Sequence, residues 1–167
     1  MKLVVTGGSG MVGSAFRRIY PDAESPTTKQ FHSESYDVSG KHIVHLAAKV
    51  GGVKANTDEI GEFFRMNSII NQKLLHMAHQ NKATKVVSLL STCVYPDAPY
   101  ITYPLTEDQL HLGPPHPSNF GYAYAKRMVD VMSRAYRQQY GCNFITAIPN
   151  NLYGENDNFD LENSHVI

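Results

Sequence analysis

Thr6-Gly7-Gly8-Ser9-Gly10-Met11-Val12-Gly13 places glycines at 7, 10 and 13 between an apolar run and a helical stripe. At such a strand-to-helix junction Gly7 permits the tight turn and Gly13 packs helix against strand. Gly10 lets a pyrophosphate approach the N–H groups that open the helix. A bare turn does not need three glycines at this spacing. Tyr122 and Lys126 stand one helical turn apart, so both side chains emerge on one face. An ammonium beside the phenol favours phenolate and is expected to bring the tyrosine from about 10 toward working pH. The pair is then a proton donor and acceptor for a carbonyl/alcohol couple. Tyr-x-x-x-Lys also arises by chance on exposed helices. Ser91-Thr92-Cys93, at the C-terminal end of a predicted strand, adds weight to the catalytic reading, because open α/β sheets place their sites there.

These groups need a scaffold that brings them together, and apolar periodicity supplies one. Strands are predicted over Lys2–Thr6, Ile43–Ala48, Lys85–Leu90 and Asn143–Ile148. A helix carrying Met11, Val12, Ala15, Phe16 and Ile19 stops at Tyr20-Pro21, and a longer one over Asp58–Gln80 carries Phe63, Leu74 and Met77 on one face. A third, capped by Ser118 or Asn119, buries Ala125, Met128, Val129, Met132 and Tyr136 and ends at Gly141. This β/α alternation predicts an α/β fold, a doubly wound parallel sheet. The loop Cys93–Pro117 holds six of the nine prolines and is long enough to lie over a site. Between Pro21 and Lys41 the run Lys29–Ser33 could be a strand, but fewer than ten residues separate it from Ile43. A parallel crossover needs about a dozen or more, so the second crossover is expected to be shortened by one helix.

Composition bounds the function. With 167 residues, 42% of them apolar, the chain fits one domain with a core of its own. Fifteen basic and fifteen acidic residues cancel, which argues against a nucleic-acid partner or an anionic membrane surface. Apolar runs such as Ile43–Ala48, broken by His45, fall far short of the roughly 18 residues that cross a bilayer, so no membrane association is expected. Leu3-Val4-Val5 runs straight into the glycine turn without the pattern of a secretory leader. Two cysteines, Cys93 and Cys142, suit a reducing, cytoplasmic setting. His111 and His116 lack ligand spacing, and no metal is expected. Asn67 and Asn71, on the apolar stripe of the long helix, read as buried amides bonding backbone. Tyr95, Tyr100 and Tyr103 read as loop self-packing, with ligand contact as the alternative.

Several of these segments together resemble the GDP-L-fucose synthases of the extended short-chain dehydrogenase/reductase superfamily. They are Thr6–Gly13, His45-Leu46-Ala47-Ala48-Lys49-Val50-Gly51-Gly52, Ser91-Thr92-Cys93-Val94-Tyr95-Pro96, Tyr122–Lys126, Asn151-Leu152-Tyr153-Gly154 with Asp157-Asn158-Phe159, and Ser164-His165-Val166-Ile167. The glycine motif and Tyr-x-x-x-Lys mark the superfamily. Ala-Lys-Val-Gly-Gly and Ser-Thr-Cys-Val-Tyr-Pro point to this branch.

The resemblance implies a Rossmann domain that binds NADP(H) and a GDP-sugar substrate, GDP-4-keto-6-deoxymannose. Ser91, Tyr122 and Lys126 would be the reductase triad, and Cys93 and His165 the acid/base pair that inverts C3 and C5. Cofactor contacts would fall on Gly7, Gly10, Met11, Val12, Gly13, Leu46, Ala47, Ala48, Tyr122, Lys126, Pro149, Asn151 and Leu152. A homodimer pairing through the two long helices is also implied. On this reading residues 1–150 form the dinucleotide-binding domain and 151–167 the start of a substrate-binding region, most of which is expected to be absent. Glu155-Asn156 replaces the Pro-His that usually follows Tyr-Gly in the family, and only Lys29 and His32 offer positive charge where a 2′-phosphate would lie. Two rivals remain: another nucleotide-sugar epimerase, dehydratase or reductase, and a truncated, non-catalytic nucleotide-binding protein.

Overall fold

Four apolar runs form one parallel sheet in the computed structural model, which describes residues 1–31, 36–157 and 159. The strands are β1 (Leu3–Thr6), β2 (His42–His45), β3 (Lys85–Leu89) and β4 (Phe144–Ala147), lying in that order. Among the described residues the α-helices that join them are α1 (Met11–Ile19), α2 (Thr28–Phe31), α3 (Val53–Asp58), α4 (Ile60–Gln80) and α5 (Phe120–Tyr140). This is the parallel α/β architecture that the alternation predicts, in the Rossmann-like form that the resemblance implies.

Register explains the core. Val4, Ile43, Val86 and Phe144 stand side by side across all four strands and pack with Leu74, Leu75 and Ala78 of α4 and Val129 of α5. Neighbouring residues on a strand face opposite ways, so Val5, Val44, Val87 and Ile145 form the other row. Burial there declines from Val5, fully enclosed, to Ile145, 36% exposed. Helices α4 and α5 run alongside each other in the same direction, as the pairs Phe63–Tyr122, Asn71–Ala125 and His76–Tyr136 show.

The shortened crossover is real, and its form differs from the expectation. Lys29 does not begin a strand: Thr28–Phe31 is a single helical turn whose Phe31 enters the core, and Ser33 lies outside the described residues. What remains of a further strand is one residue, Glu24, bridged to β1 through Val5 N–H to Glu24 O (2.8 Å) and Glu24 N–H to Leu3 O (2.9 Å). The predicted long helix forms as α4, starting at Ile60, two residues later than expected. A short helix that the sequence reading did not predict, α3, precedes it, and Glu59, at φ −118° and ψ 34°, separates the two. At the start of α5 neither proposed cap makes a side-chain cap bond; instead His116 Nδ1 accepts from the backbone N–H of Ser118. Gly141 ends α5 as expected.

Candidate active site

The glycine turn is built by close contact. Gly7 has φ +72°, and a Cβ there would lie 2.8 Å from Ala47 N, so the turn and the Leu46-Ala47 backbone touch. A Cβ on Gly13 would meet Gly7 O at 2.2 Å, because the first turn of α1 rests on the loop itself. Gly10 differs: a Cβ there would meet only Gly7 O, at an ordinary 3.5 Å. The space above Gly10 is therefore open, next to the first N–H groups of a nine-residue helix with no acidic residue in its first turn. That arrangement fits an anionic phosphate group. Arg17, which the sequence reading passed over, lies against Gly8 and brings a cation to the turn.

Beneath the turn, a buried polar chain ties the strands to the helices. Asn71 Nδ2 donates to Ala125 O (3.2 Å), which leaves its Oδ1 to accept from His45 Nε2 (2.9 Å). His45 Nδ1 then accepts from Thr6 Oγ1 (2.9 Å), and that oxygen accepts from Ala47 N–H (3.3 Å). These partners assign one neutral tautomer. Burial, reinforced by the positive charge of Lys126, pushes His45 down to about 3, against the hydrogen bond it donates to Asn71. Asn67 grips Lys49 through both its backbone groups (2.9 and 3.0 Å). Both asparagines are thus the buried, backbone-bonding amides that the sequence predicts, and they fix the stretch after β2 beside the glycine turn.

The C-terminal end of β3 and the first turns of α5 bring Ser91, Cys93, Tyr122 and Lys126 together. Lys126 is 3% exposed, and its Nζ donates to Leu89 O (2.9 Å) at 5.7 Å from the Tyr122 ring centre. Burial draws this lysine down to about 8, with the Cys93 thiolate opposing. Tyr122 departs from expectation. It is pushed above its ordinary value, first by burial and then by the negative charge of the Cys93 thiolate. The ammonium lies against the ring while its proton serves Leu89 O, so desolvation of the phenolate wins. Cys93 is raised by burial as well, against a hydrogen bond from Ser91 and the charges of Lys126 and Arg127. Tyr122 is therefore held as a phenol, a proton donor.

A cleft of about 580 Å³ opens beside Cys93, with Tyr95, Tyr103, His116, Asn119 and Asn150 in its walls. The tyrosines of the proline-rich loop divide: Tyr95 and Tyr103 line the cleft, whereas Tyr100 packs over Gly113. After β4 the chain passes through Pro149, Asn151 and Leu152 and returns to α1. There Asn156 Nδ2 donates to Ser14 Oγ (3.2 Å) and Glu155 pairs with Arg18. The segment thus leads from the sheet edge at β4 back toward the glycine turn. His165 lies outside the described residues. Sequence reasoning missed Arg127, which is buried next to Lys126. A charge on the helix arc shared with Ala123 and Asp130 was the available signal.

The sequence and the fold both have counterparts among known proteins. The chain is 43% identical to a GDP-L-fucose synthase from Dictyostelium discoideum over 180 residues, covering 99% of this chain and 56% of that one. It is 41% identical to a probable GDP-L-fucose synthase from Drosophila melanogaster over 182 residues, with the same coverage. A crystal structure of a GDP-L-fucose synthetase from Naegleria fowleri bound to NADP superposes with a TM-score of 0.84 at 37% identity, covering 98% of this chain and 58% of that one. The chain spans about half the length of the curated relatives it matches. The model of the NAD dependent epimerase/dehydratase family matches residues 27–167, and this chain belongs to that family.

Proposed function

We propose that this chain carries the cofactor and catalytic half of an NADP(H)-dependent GDP-L-fucose synthase, converting GDP-4-keto-6-deoxymannose to GDP-L-fucose. The observation that carries the reading is the convergence of Ser91, Cys93, Tyr122 and Lys126 at the end of β3, beside a cleft and within one sheet of the glycine turn. The open space above Gly10 and the cation of Arg17 suit a dinucleotide phosphate. Gly7, Gly10, Met11, Val12 and Gly13 would hold the pyrophosphate, and Leu46, Ala47, Ala48, Pro149, Asn151 and Leu152 would line its path.

Bound NADPH would supply hydride to C4. Ser91 would hydrogen-bond the C4 ketone, and Tyr122, kept protonated by burial, would give its proton to the oxygen. Lys126 would hold the nicotinamide ribose. Before reduction, Cys93 and His165 would exchange protons at C3 and C5, the carbons flanking the ketone. Charge on O4 of the resulting enolate would be stabilised by Ser91 and Tyr122. Inversion needs two groups because a proton leaves one face and another arrives on the opposite face.

We further propose that copies pair through α4 and α5, where Phe64, Ile69 and Val131 stay exposed. No described helix is long and apolar enough to cross a membrane, and both cysteines are free, in keeping with the cytoplasm.

The test is NADPH oxidation on addition of GDP-4-keto-6-deoxymannose, abolished in Tyr122→Phe with NADPH affinity retained. A second reading takes the glycine turn alone: a nucleotide-binding protein without turnover. NADPH binding with no oxidation by the wild-type chain would replace the first reading by the second.

A further inference from the structure

Arg127 is buried, 6% exposed, one residue beyond Lys126. Among the described residues it has no carboxylate partner. Its Nε donates to Val94 O (2.6 Å) and its Nη1 to Gly113 O (2.7 Å), while Nη2 is buried with no hydrogen-bond partner. The guanidinium carbon lies 5.4 Å from the centre of the Tyr124 ring. A buried cation without a counter-ion costs free energy that an aliphatic side chain on the same helix arc would not. Its two acceptors show what that cost maintains. Val94 follows Cys93 directly, and Gly113 lies near the far end of the proline-rich loop. Between them runs the segment 95–112, which walls the cleft with Tyr95, Ile101 and Tyr103. The loop is closed a second time where Pro96 bridges Pro115 and Asp97 N–H donates to Pro114 O (3.1 Å).

We propose that Arg127 is a positioning residue for Cys93, tying the two ends of the cleft loop to one guanidinium and holding a fixed positive charge near the thiol. A planar fork can bridge two carbonyls that a lysine ammonium, a single point donor, cannot span with the same geometry. The charged and titratable groups about Cys93 are Tyr122, Lys126 and Arg127 on α5, with Asp97 and His116 in the cleft walls; Ser91 donates a hydrogen bond to it. Of these, Arg127 is both cationic at any working pH and bonded to the residue next to the thiol. The proposal rests on the reading of Cys93 as part of the site, but its test needs neither cofactor nor sugar.

The experiment is iodoacetamide alkylation of Cys93 as a function of pH, in the full chain with Cys142→Ser so that one thiol remains. Arg127→Met is expected to raise the apparent pKa of alkylation and to slow the reaction near neutral pH by about twofold or more. Arg127→Lys should keep the apparent pKa near the parent value. Because it releases one carbonyl, limited proteolysis within 95–112 should still quicken. If Arg127→Met fails to fold, Arg127→Gln supplies the neutral variant. A neutral variant that lowers the thermal midpoint but leaves the alkylation profile unchanged would show a purely structural arginine and overturn the proposal. So would an Arg127→Lys profile shifted as far as that of the neutral variant.

Discussion

His45 sets an acid limit on this fold that can be worked out from its surroundings. It is 1% exposed and bonded at both ring nitrogens, so the folded chain holds it neutral, with its pKa pushed down to about 3. In the unfolded chain the imidazole titrates near its ordinary value, about 6.5. Between these values the unfolded state binds a proton that the folded state does not, so stability falls as pH falls, by about 1.4 kcal/mol per unit. From about pH 7 to about pH 5 the integrated loss from this one group is about 1.9 kcal/mol. That figure barely changes for a folded value of about 4, because both lie well below the window. The perturbation is His45→Gln, whose amide cannot titrate. The assay is urea unfolding of parent and variant at the two pH values, with the difference between them removing the contribution of the other histidines. His45→Gln is expected to be less stable near neutrality, because Thr6 and Asn71 lose their fitted partner, yet to lose about 1.9 kcal/mol less on acidification. Equal pH dependence in the two proteins would refute the account of a buried neutral histidine.

Two further perturbations separate folding from binding. Gly13→Ala forces a Cβ to 2.2 Å from Gly7 O and should cost about 3 kcal/mol or more, lowering the thermal midpoint together with NADPH affinity. Gly10→Ala meets its nearest neighbour at 3.5 Å and should leave the midpoint nearly unchanged while weakening NADPH binding at least about tenfold by fluorescence titration. Asp130→Ala should destabilise by about 1–2 kcal/mol in urea unfolding, because the charged partners it leaves behind, Arg134 and His111, reach solvent. Its buried carboxylate joins Arg134 (2.9 Å), His111 of the loop (2.9 Å) and Thr146 of β4 (3.4 Å).

Much of this protein is legible in its sequence because the relevant physics is local. Glycines spaced 7, 10 and 13 act through the conformation of a single turn, and only Gly10 leaves room for a ligand. Strand and helix stripes act through period, so the four strands and the helices over Met11–Ile19 and Phe120–Tyr140 appear close to where they were expected. Asn67 and Asn71 stood out as amides on an apolar stripe, and burial requires that they be bonded.

What failed depended on neighbours that are distant along the chain. The Tyr122–Lys126 spacing correctly put the two side chains on one face, but the direction of the tyrosine's shift depended on desolvation and on Cys93, which reaches it from the end of β3. Arg127 went unnoticed in the sequence because its acceptors, Val94 O and Gly113 O, lie far from it along the chain. The run at Lys29 turned helical, and on the outer edge of β1 the chain pairs at a single residue, Glu24. Sequence alone therefore determined which elements form and which residue types the site can use, since turn geometry and periodicity are properties of adjacent residues. Only the tertiary structure decided protonation, charge placement and the shape of the cleft, because desolvation and Coulomb interaction depend on distances between elements.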